Sequence, residues 1–123
     1  MALNPTGQDI LAFLESDDDG GPVVMLNLLR FSEGGRDSYE QYLRHTAEVG
    51  KPYGVELVYA GTTFATLIAE EGQSWDAVVI ARYPSRRHFA GMVADAEYQK
   101  GIPLRDAALV ETVLQPTRPW LTA

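Results

Sequence analysis

Apolar positions recur at helical spacing near the start of the chain and in longer, nearly continuous runs further along it. Thr6 begins a capping pattern whose acidic residue, Asp9, lies three positions later, and apolar residues then recur at helical spacing up to Leu14. A short amphipathic helix is therefore predicted over residues 6–16. The segment DDDGGP ends this helix, because carboxylates are unfavourable at the C-terminal end of a helix dipole and Gly-Gly-Pro interrupts the pattern.

Runs of β-branched and large apolar residues bounded by turn formers predict four strands in the remainder of the chain. The predicted strands cover residues 22–31, 55–69, 75–83 and 109–117, the second with a bend at Gly61. Apolar residues at helical spacing predict helices between these strands. One helix covers residues 38–50. The other begins after Pro84 and becomes irregular over residues 95–109, where a glycine and a proline interrupt it.

The segment YPSRRHF joins the third predicted strand to the helix that follows. Pro84 lacks a backbone donor and has a fixed φ, which suits the first turn of a helix or the residue before it. The Ser85 hydroxyl can accept a hydrogen bond from a backbone N–H of the next turn. The pattern therefore indicates a strand-to-helix junction. Arg86 then either binds an anion at the N-terminus of the helix or is exposed to solvent without such a role.

The elements after the first helix follow the order strand, helix, strand, strand, helix, strand. This order is typical of the ferredoxin-like fold, an α+β sandwich built as βαββαβ. Right-handed crossovers place both helices on one face of a four-stranded antiparallel sheet. We therefore expect a single domain over residues 1–123, with an extra N-terminal helix at 6–16 and a ferredoxin-like core at 22–117.

The sheet face opposite the helices should alternate polar and apolar residues if it meets water. The predicted strands instead have apolar residues on both faces. In the first strand, Val24, Leu26 and Leu28 belong to one face, and Val23, Met25 and Leu29 belong to the other. An exposed apolar sheet of this kind exceeds the patches that monomers normally tolerate. A second copy is the expected cover, giving a homodimer that pairs sheet to sheet as a dimeric α/β barrel.

Composition and charge narrow the classes of partner. The chain of 123 residues carries a formal net charge of −7, which repels nucleic acid, so no nucleic-acid partner is expected. The lack of cysteine excludes disulfide frameworks and thiolate metal sites. No apolar run reaches membrane-spanning length, and the first residues lack the pattern of an export signal. We therefore expect no membrane partner and a cytoplasmic location.

Three segments, VVMLNLLRF, WDAVVIARYPSRRHFAGMVADAEYQ and LRDAALVETVLQPT, together resemble a bacterial family known only as domain of unknown function 1330. The resemblance covers residues 22–117 and implies the dimeric α/β-barrel superfamily. That superfamily includes cofactor-independent monooxygenases, isomerases, dehalogenases of small aromatic metabolites and haem-degrading enzymes, whose pockets lie between the sheet and the helices of each subunit. An analogy of fold does not by itself select one of these reactions.

Three side chains on the predicted strands are candidates for contact with a ligand. Asn27 is the only amide in an otherwise apolar strand, and a buried amide needs hydrogen-bond partners, either from a ligand or from a neighbouring element. Trp75 and Tyr83 share one parity with small residues between them. That spacing leaves room either for a ligand or for a closely packed helix.

Two further candidates lie on the helix predicted at 38–50. Tyr42 belongs to its apolar face, and His45 lies at the edge of that face, as a general base or as a partly exposed side chain without a catalytic role. No metal site is predicted, because His45 and Glu48 lack a second pair of ligands. No cofactor is predicted either, since the glycine-rich segments lack the patterns of nucleotide sites.

These observations predict a homodimer that binds a small metabolite in a pocket between sheet and helices. Two alternatives remain open at this point. The protein is either a cofactor-independent enzyme or a non-catalytic sensor or structural module.

Overall fold

A four-stranded antiparallel sheet forms the centre of the computed structural model, which describes residues 2–121. The strands are β1 (Val23–Phe31), β2 (Glu56–Thr62), β3 (Ala77–Tyr83) and β4 (Leu109–Thr117). The helices are α1 (Gly7–Glu15), α2 (Gly35–Val49), α3 (Arg86–Ala94), α4 (Ala96–Gln99) and α5 (Ile102–Ala108), with a 3₁₀ turn at Lys51–Tyr53. Residues 1, 122 and 123 of the predicted domain lie outside the described residues.

The strands are arranged in the order β2-β3-β1-β4, and each neighbouring pair is antiparallel. The two central strands, β1 and β3, pair through a continuous register from Val23 opposite Tyr83 to Leu29 opposite Ala77. This order is the one expected of the βαββαβ connection, because each helix carries the chain across the sheet to a non-adjacent position. The predicted α+β, ferredoxin-like fold is confirmed.

One face of the sheet forms the core together with the helices. On β1 the side chains of Met25 and Leu29 are fully buried, and on β3 those of Val79 and Tyr83 are buried as well. The alternate residues on these strands point to the other face, because successive side chains of a strand lie on opposite sides. The cavity described below lies on the helix side.

The N-terminal helix has the capping box that the sequence predicted. The Thr6 hydroxyl accepts a hydrogen bond from the Asp9 backbone N–H at 3.0 Å, and the Asp9 carboxylate accepts one from the Thr6 N–H at 2.8 Å. The junction at Ser85 is also confirmed, since its hydroxyl accepts a hydrogen bond from the His88 backbone N–H. Short-range capping chemistry therefore fixes both helix starts.

The strand predicted over residues 55–69 is correct only up to Thr62. The Thr63 N–H donates to the Asp76 carbonyl, and beyond this bond the chain forms an exposed connection with a turn near Gln73. The prediction failed because residues 64–69 are mostly apolar, with two β-branched residues among them, but have no neighbouring strand to pair with. A strand needs such a partner for its backbone hydrogen bonds.

The third strand begins at Ala77 rather than at Trp75. Asp76 ends the connection instead, because its N–H donates to the Leu29 carbonyl and its carboxylate accepts from the Phe31 N–H. Trp75 therefore lies outside β3, so the strand alternation does not place its side chain on the same face as Tyr83.

Helix α2 begins three residues earlier than predicted, at Gly35. A Cβ atom on Gly35 would lie 2.1 Å from the Ala108 carbonyl oxygen, so only glycine allows the start of α2 to approach α5 this closely. Within residues 2–121, no helix combines the length and hydrophobicity needed to cross a lipid bilayer.

Candidate functional site

A cavity of about 250 Å³ lies between the helix-facing side of the sheet and the helices. Its polar lining comes from both layers and from the N-terminal segment, and it consists of Asn4, Asn27, Tyr39, Tyr42, Thr46, Tyr83, Tyr98, Gln99 and Arg105. Met25, Phe89 and Leu114 belong to its apolar wall. Such a volume equals that of roughly eight water molecules and suits a small organic molecule.

Helix α2 presents three of the polar lining residues on one stripe. Tyr39, Tyr42 and Thr46 follow one another at spacings of three and four residues, which places their side chains on the same face. All three are buried, and all three line the cavity. The helix therefore supplies hydroxyl groups to the cavity along its buried face.

Two tyrosines that line the cavity are hydrogen-bonded to each other. Tyr42 Oη and Tyr98 Oη lie 2.7 Å apart and share one hydrogen bond. Burial raises the pKa of Tyr98 well above its ordinary value, and the neighbouring Tyr42 raises it further. Burial likewise raises the pKa values of Tyr39 and Tyr83. These phenols remain protonated at neutral pH and act as hydrogen-bond donors and acceptors, not as bases.

Arg105 is a buried cation at the cavity, with 3% of its surface exposed. One of its terminal nitrogens donates to the Leu3 carbonyl and to Asn4 Oδ1. Asn4 in turn donates to Asp106 Oδ1 at 2.6 Å, which fixes the N-terminal segment across α5. Within residues 2–121, no carboxylate forms an ion pair with Arg105.

Thr46 carries a hydroxyl that is buried without a hydrogen-bond partner. Its side chain lines the cavity, and 9% of the residue is exposed. Buried polar groups almost always find a partner, and leaving one unpaired costs about 1–3 kcal/mol. The Thr46 hydroxyl is therefore a polar group beside the cavity that the described chain leaves unpaired.

Three of the predicted site residues, Asn27, Tyr42 and Tyr83, come together at this cavity. The Asn27 amide donates to the carbonyl of Val79, its partner on β3, at 3.2 Å. One N–H of the amide is thus used by the sheet itself, while the side chain still contributes to the cavity wall.

His45 lies on α2 but outside the cavity lining. Its Nε2 lies 2.6 Å from the Glu97 carbonyl, and because a carbonyl only accepts, Nε2 carries the proton. The ring packs against Gly101, where a Cβ atom would approach within 2.4 Å of the imidazole. His45 therefore links α2 to the α4–α5 segment.

Trp75 and Arg86 also lie away from the cavity. The Arg30 guanidinium lies 5.0 Å from the Trp75 ring centroid, at the end of the sheet near the β2–β3 connection. Arg86 binds the C-terminal end of α1, where it donates to the carbonyls of Phe13 and Asp17. The Arg86 side chain is thus engaged by the chain itself.

Thr46, Tyr98 and Arg105 had no predicted role, although Tyr98 and Arg105 lie within the segments that carry the family resemblance. One signal for Arg105 exists in the sequence. Ile102, Arg105 and Ala108 are spaced by three residues, which puts the arginine on the buried face of α5. Within residues 2–121, no three His, Asp or Glu side chains cluster closely enough to share a metal ion.

Comparison with known proteins identifies the family and the fold. The family model described as a domain of unknown function, DUF1330, matches residues 31–115. No curated protein matches the chain. The RPA0582 protein of unknown function from Rhodopseudomonas palustris is 30% identical, with a TM-score of 0.83 over 98% of this chain and 98% of that one.

More distant structures share the fold alone. An uncharacterised NIPSNAP-like domain protein from Burkholderia xenovorans is 16% identical, with a TM-score of 0.60 over 85% of this chain and 90% of that one. A structure described as a putative antibiotic biosynthesis monooxygenase, from Bacteroides thetaiotaomicron VPI-5482, is 17% identical, with a TM-score of 0.59 over 82% and 91%.

Proposed function

We propose that this member of the DUF1330 family is a homodimer and that it binds a small metabolite in the sheet–helix cavity. The resemblance indicated this family, which has no assigned function. The observation that carries this proposal is the cavity of about 250 Å³, which is lined by residues with hydroxyl, amide and guanidinium groups from five elements, β1, β3, α2, α4 and α5. A filled core at this position would need none of these groups. Convergent polar side chains in a mostly apolar cavity are typical of ligand sites.

The proposal is confined to binding. Proton transfer needs a group that can accept a proton near neutral pH. No Asp, Glu or His lines the cavity within residues 2–121, and the raised pKa values of Tyr39, Tyr83 and Tyr98 keep these hydroxyls protonated. His45, the predicted base, is engaged with Glu97 instead.

A purely structural module is the second candidate, and one observation favours it. The hydrogen bond from Asn27 to the Val79 carbonyl is what a structural role for this amide predicts. A structural role does not account for the unpaired Thr46 hydroxyl or for the unfilled volume beside it.

The homodimer is supported by the amount and character of the exposed surface. The chain exposes 8045 Å², whereas a compact monomer of this mass exposes about 6,500 Å². The excess of about 1,500 Å² is larger than the roughly 800 Å² that each partner buries in a standard interface. The sheet face opposite the helices carries Leu26, Leu28, Val78 and Ile80, and it is the surface we propose as the interface.

The β2–β3 connection (residues 63–76) extends this apolar surface. Phe64, Leu67 and Ile68 are 97%, 99% and 96% exposed, although each is a large apolar side chain. The connection leaves the sheet beside Ala77 and Thr62, at the end of the two strands that contribute to the apolar face. A second copy of the chain is the occupant that covers both surfaces at once, because a twofold axis presents the same two surfaces twice.

Ligand binding is tested by identifying what copurifies with the protein. Small molecules extracted from the purified protein are measured by mass spectrometry for the native chain and for the variant Ala81→Phe, whose ring would fill the cavity. We expect a molecule that is retained by the native chain and reduced at least about tenfold in the variant.

The matched control is Ala94→Phe, because Ala94 is an exposed residue outside the cavity lining. Equal retention by the native chain and by Ala81→Phe would contradict binding in this cavity. The outcome does not depend on the dimer, which is tested separately below.

A further inference from the structure

Arg105 is the one charged side chain among the cavity-lining residues of the described chain, and no carboxylate there neutralises it. We infer that the ligand of the cavity is a small apolar monocarboxylate whose carboxylate binds Arg105. This inference rests on the ligand binding proposed above and names the chemical class of that ligand. Three properties of the cavity support it.

The first property is the charge of the guanidinium. Arginine stays protonated in proteins, and a buried charge is costly unless it is paired. The partners of Arg105 in the described chain are the carbonyl oxygen of Leu3 and the amide oxygen of Asn4. Both are neutral acceptors. A carboxylate supplies the missing negative charge and can accept two parallel N–H bonds from one guanidinium.

The second property is an excess of hydrogen-bond donors around Arg105. In the Tyr42–Tyr98 pair one hydroxyl donates to the other, so the accepting hydroxyl keeps a proton that the pair does not use. No Asp or Glu lines the cavity within the described residues, although the whole chain carries a net charge of −7. Such an environment favours an anion over a cation, because Arg105 attracts the former and repels the latter.

The third property is the apolar remainder of the wall. Met25, Phe89 and Leu114 surround the space that the polar groups leave, and they offer no partner to a second charge. A doubly charged phosphate or a dicarboxylate would leave one charge unpaired against this wall. With room for roughly eight to ten non-hydrogen atoms, the cavity suits an acid with a small aromatic or branched aliphatic body.

The test compares an acid with its uncharged amide of the same shape. Benzoate and benzamide are titrated into the native protein, and the binding constants are measured from NMR chemical shifts of the cavity residues. We expect benzoate to bind at least about tenfold more tightly than benzamide, because hydrogen bonds to a charged group are stronger than neutral ones. In Arg105→Gln, benzoate should lose this advantage while the affinity for benzamide stays within about twofold.

A second variant keeps the test decisive if Arg105→Gln does not fold. Arg105→Lys keeps the positive charge but not the two parallel donors, so the fold should be retained while the affinity for benzoate falls roughly fivefold and stays above that for benzamide. Ser38→Ala, on α2, is the control. Its hydroxyl already donates to the Leu104 carbonyl at 2.7 Å and does not line the cavity, so benzoate affinity should be unchanged.

The outcomes separate the two proposals. Equal binding of benzoate and benzamide by the native protein overturns the carboxylate inference and leaves a ligand cavity in place. If neither probe shifts the cavity resonances and no molecule copurifies, both the inference and the proposed function are contradicted.

Discussion

The hydroxyls of Tyr42 and Tyr98 form a hydrogen bond with each other inside the molecule, where few other hydrogen-bond partners are available. Their bond joins α2 to α4 across 56 positions of the chain, and both rings belong to the core. A neutral hydrogen bond of this kind contributes about 1 kcal/mol, but an orphaned buried hydroxyl costs about as much again. The partners should therefore behave as a unit when either is changed.

We predict that Tyr42→Phe and Tyr98→Phe each lower the free energy of unfolding by about 1–2 kcal/mol. The double variant should lose no more than either single variant, because it leaves no unpaired hydroxyl behind. Urea denaturation of the four proteins measures this coupling. Fully additive losses would show that the two hydroxyls are satisfied independently, for example by water.

At the scale of elements, α1 packs Ile10 and Phe13 against the core, and the side chain of Arg86 binds its C-terminal end. Arg86 donates to the Phe13 and Asp17 carbonyls, at 2.8 Å and 2.5 Å, and pairs with the Asp18 carboxylate at 3.4 Å. Its guanidinium also lies 4.9 Å from the Phe13 ring centroid. A cation at this position satisfies carbonyls that the helix end leaves unpaired.

We predict that Arg86→Met lowers the free energy of unfolding by about 1–3 kcal/mol, since it removes a charged donor from the Phe13 and Asp17 carbonyls and the ion pair with Asp18. Hydrogen exchange of the α1 amides should accelerate at least about tenfold, because local opening of this helix becomes easier. The neighbouring Arg87 is exposed, so Arg87→Met should change stability by less than about 0.5 kcal/mol. Equal effects of the two substitutions would contradict the role assigned to Arg86.

At the scale of the whole molecule, the proposed dimer accounts for two surfaces that the single chain leaves uncovered. The β2–β3 connection carries three nearly fully exposed apolar side chains, Phe64, Leu67 and Ile68, which contribute little to the stability of one subunit. Burying such a side chain against a partner contributes about 1.5–3 kcal/mol. The connection is therefore the place where the dimer can be weakened without damage to the subunit.

We predict that the triple variant Phe64→Ser, Leu67→Ser and Ile68→Ser has a dimer dissociation constant at least about a hundredfold higher than that of the native chain, because these apolar contacts are lost. Its circular dichroism spectrum should match that of the native chain. Sedimentation equilibrium at micromolar concentration measures the dissociation. Leu11→Ser, at an exposed position on α1, is the control and should leave the dimer unchanged. A native chain that sediments as a single subunit would refute the dimer altogether.

The sequence by itself determined the order, type and approximate bounds of the elements, and through them the fold. Helix caps at Thr6 and Ser85 and the period of the apolar positions are short-range properties, so they can be read along the chain. The same approach overextended β2, because whether residues 64–69 pair depends on a neighbouring strand that the local pattern does not contain.

Only the tertiary structure decided which polar side chains meet at the cavity. Asn27, Tyr42 and Tyr83 could be proposed from their positions on predicted elements, and they do line it. Arg105 became a buried, unneutralised cation because the N-terminal segment, more than a hundred residues away in sequence, folds over it. A cavity is volume that packing leaves unfilled, and that volume depends on distant contacts that no local periodicity records.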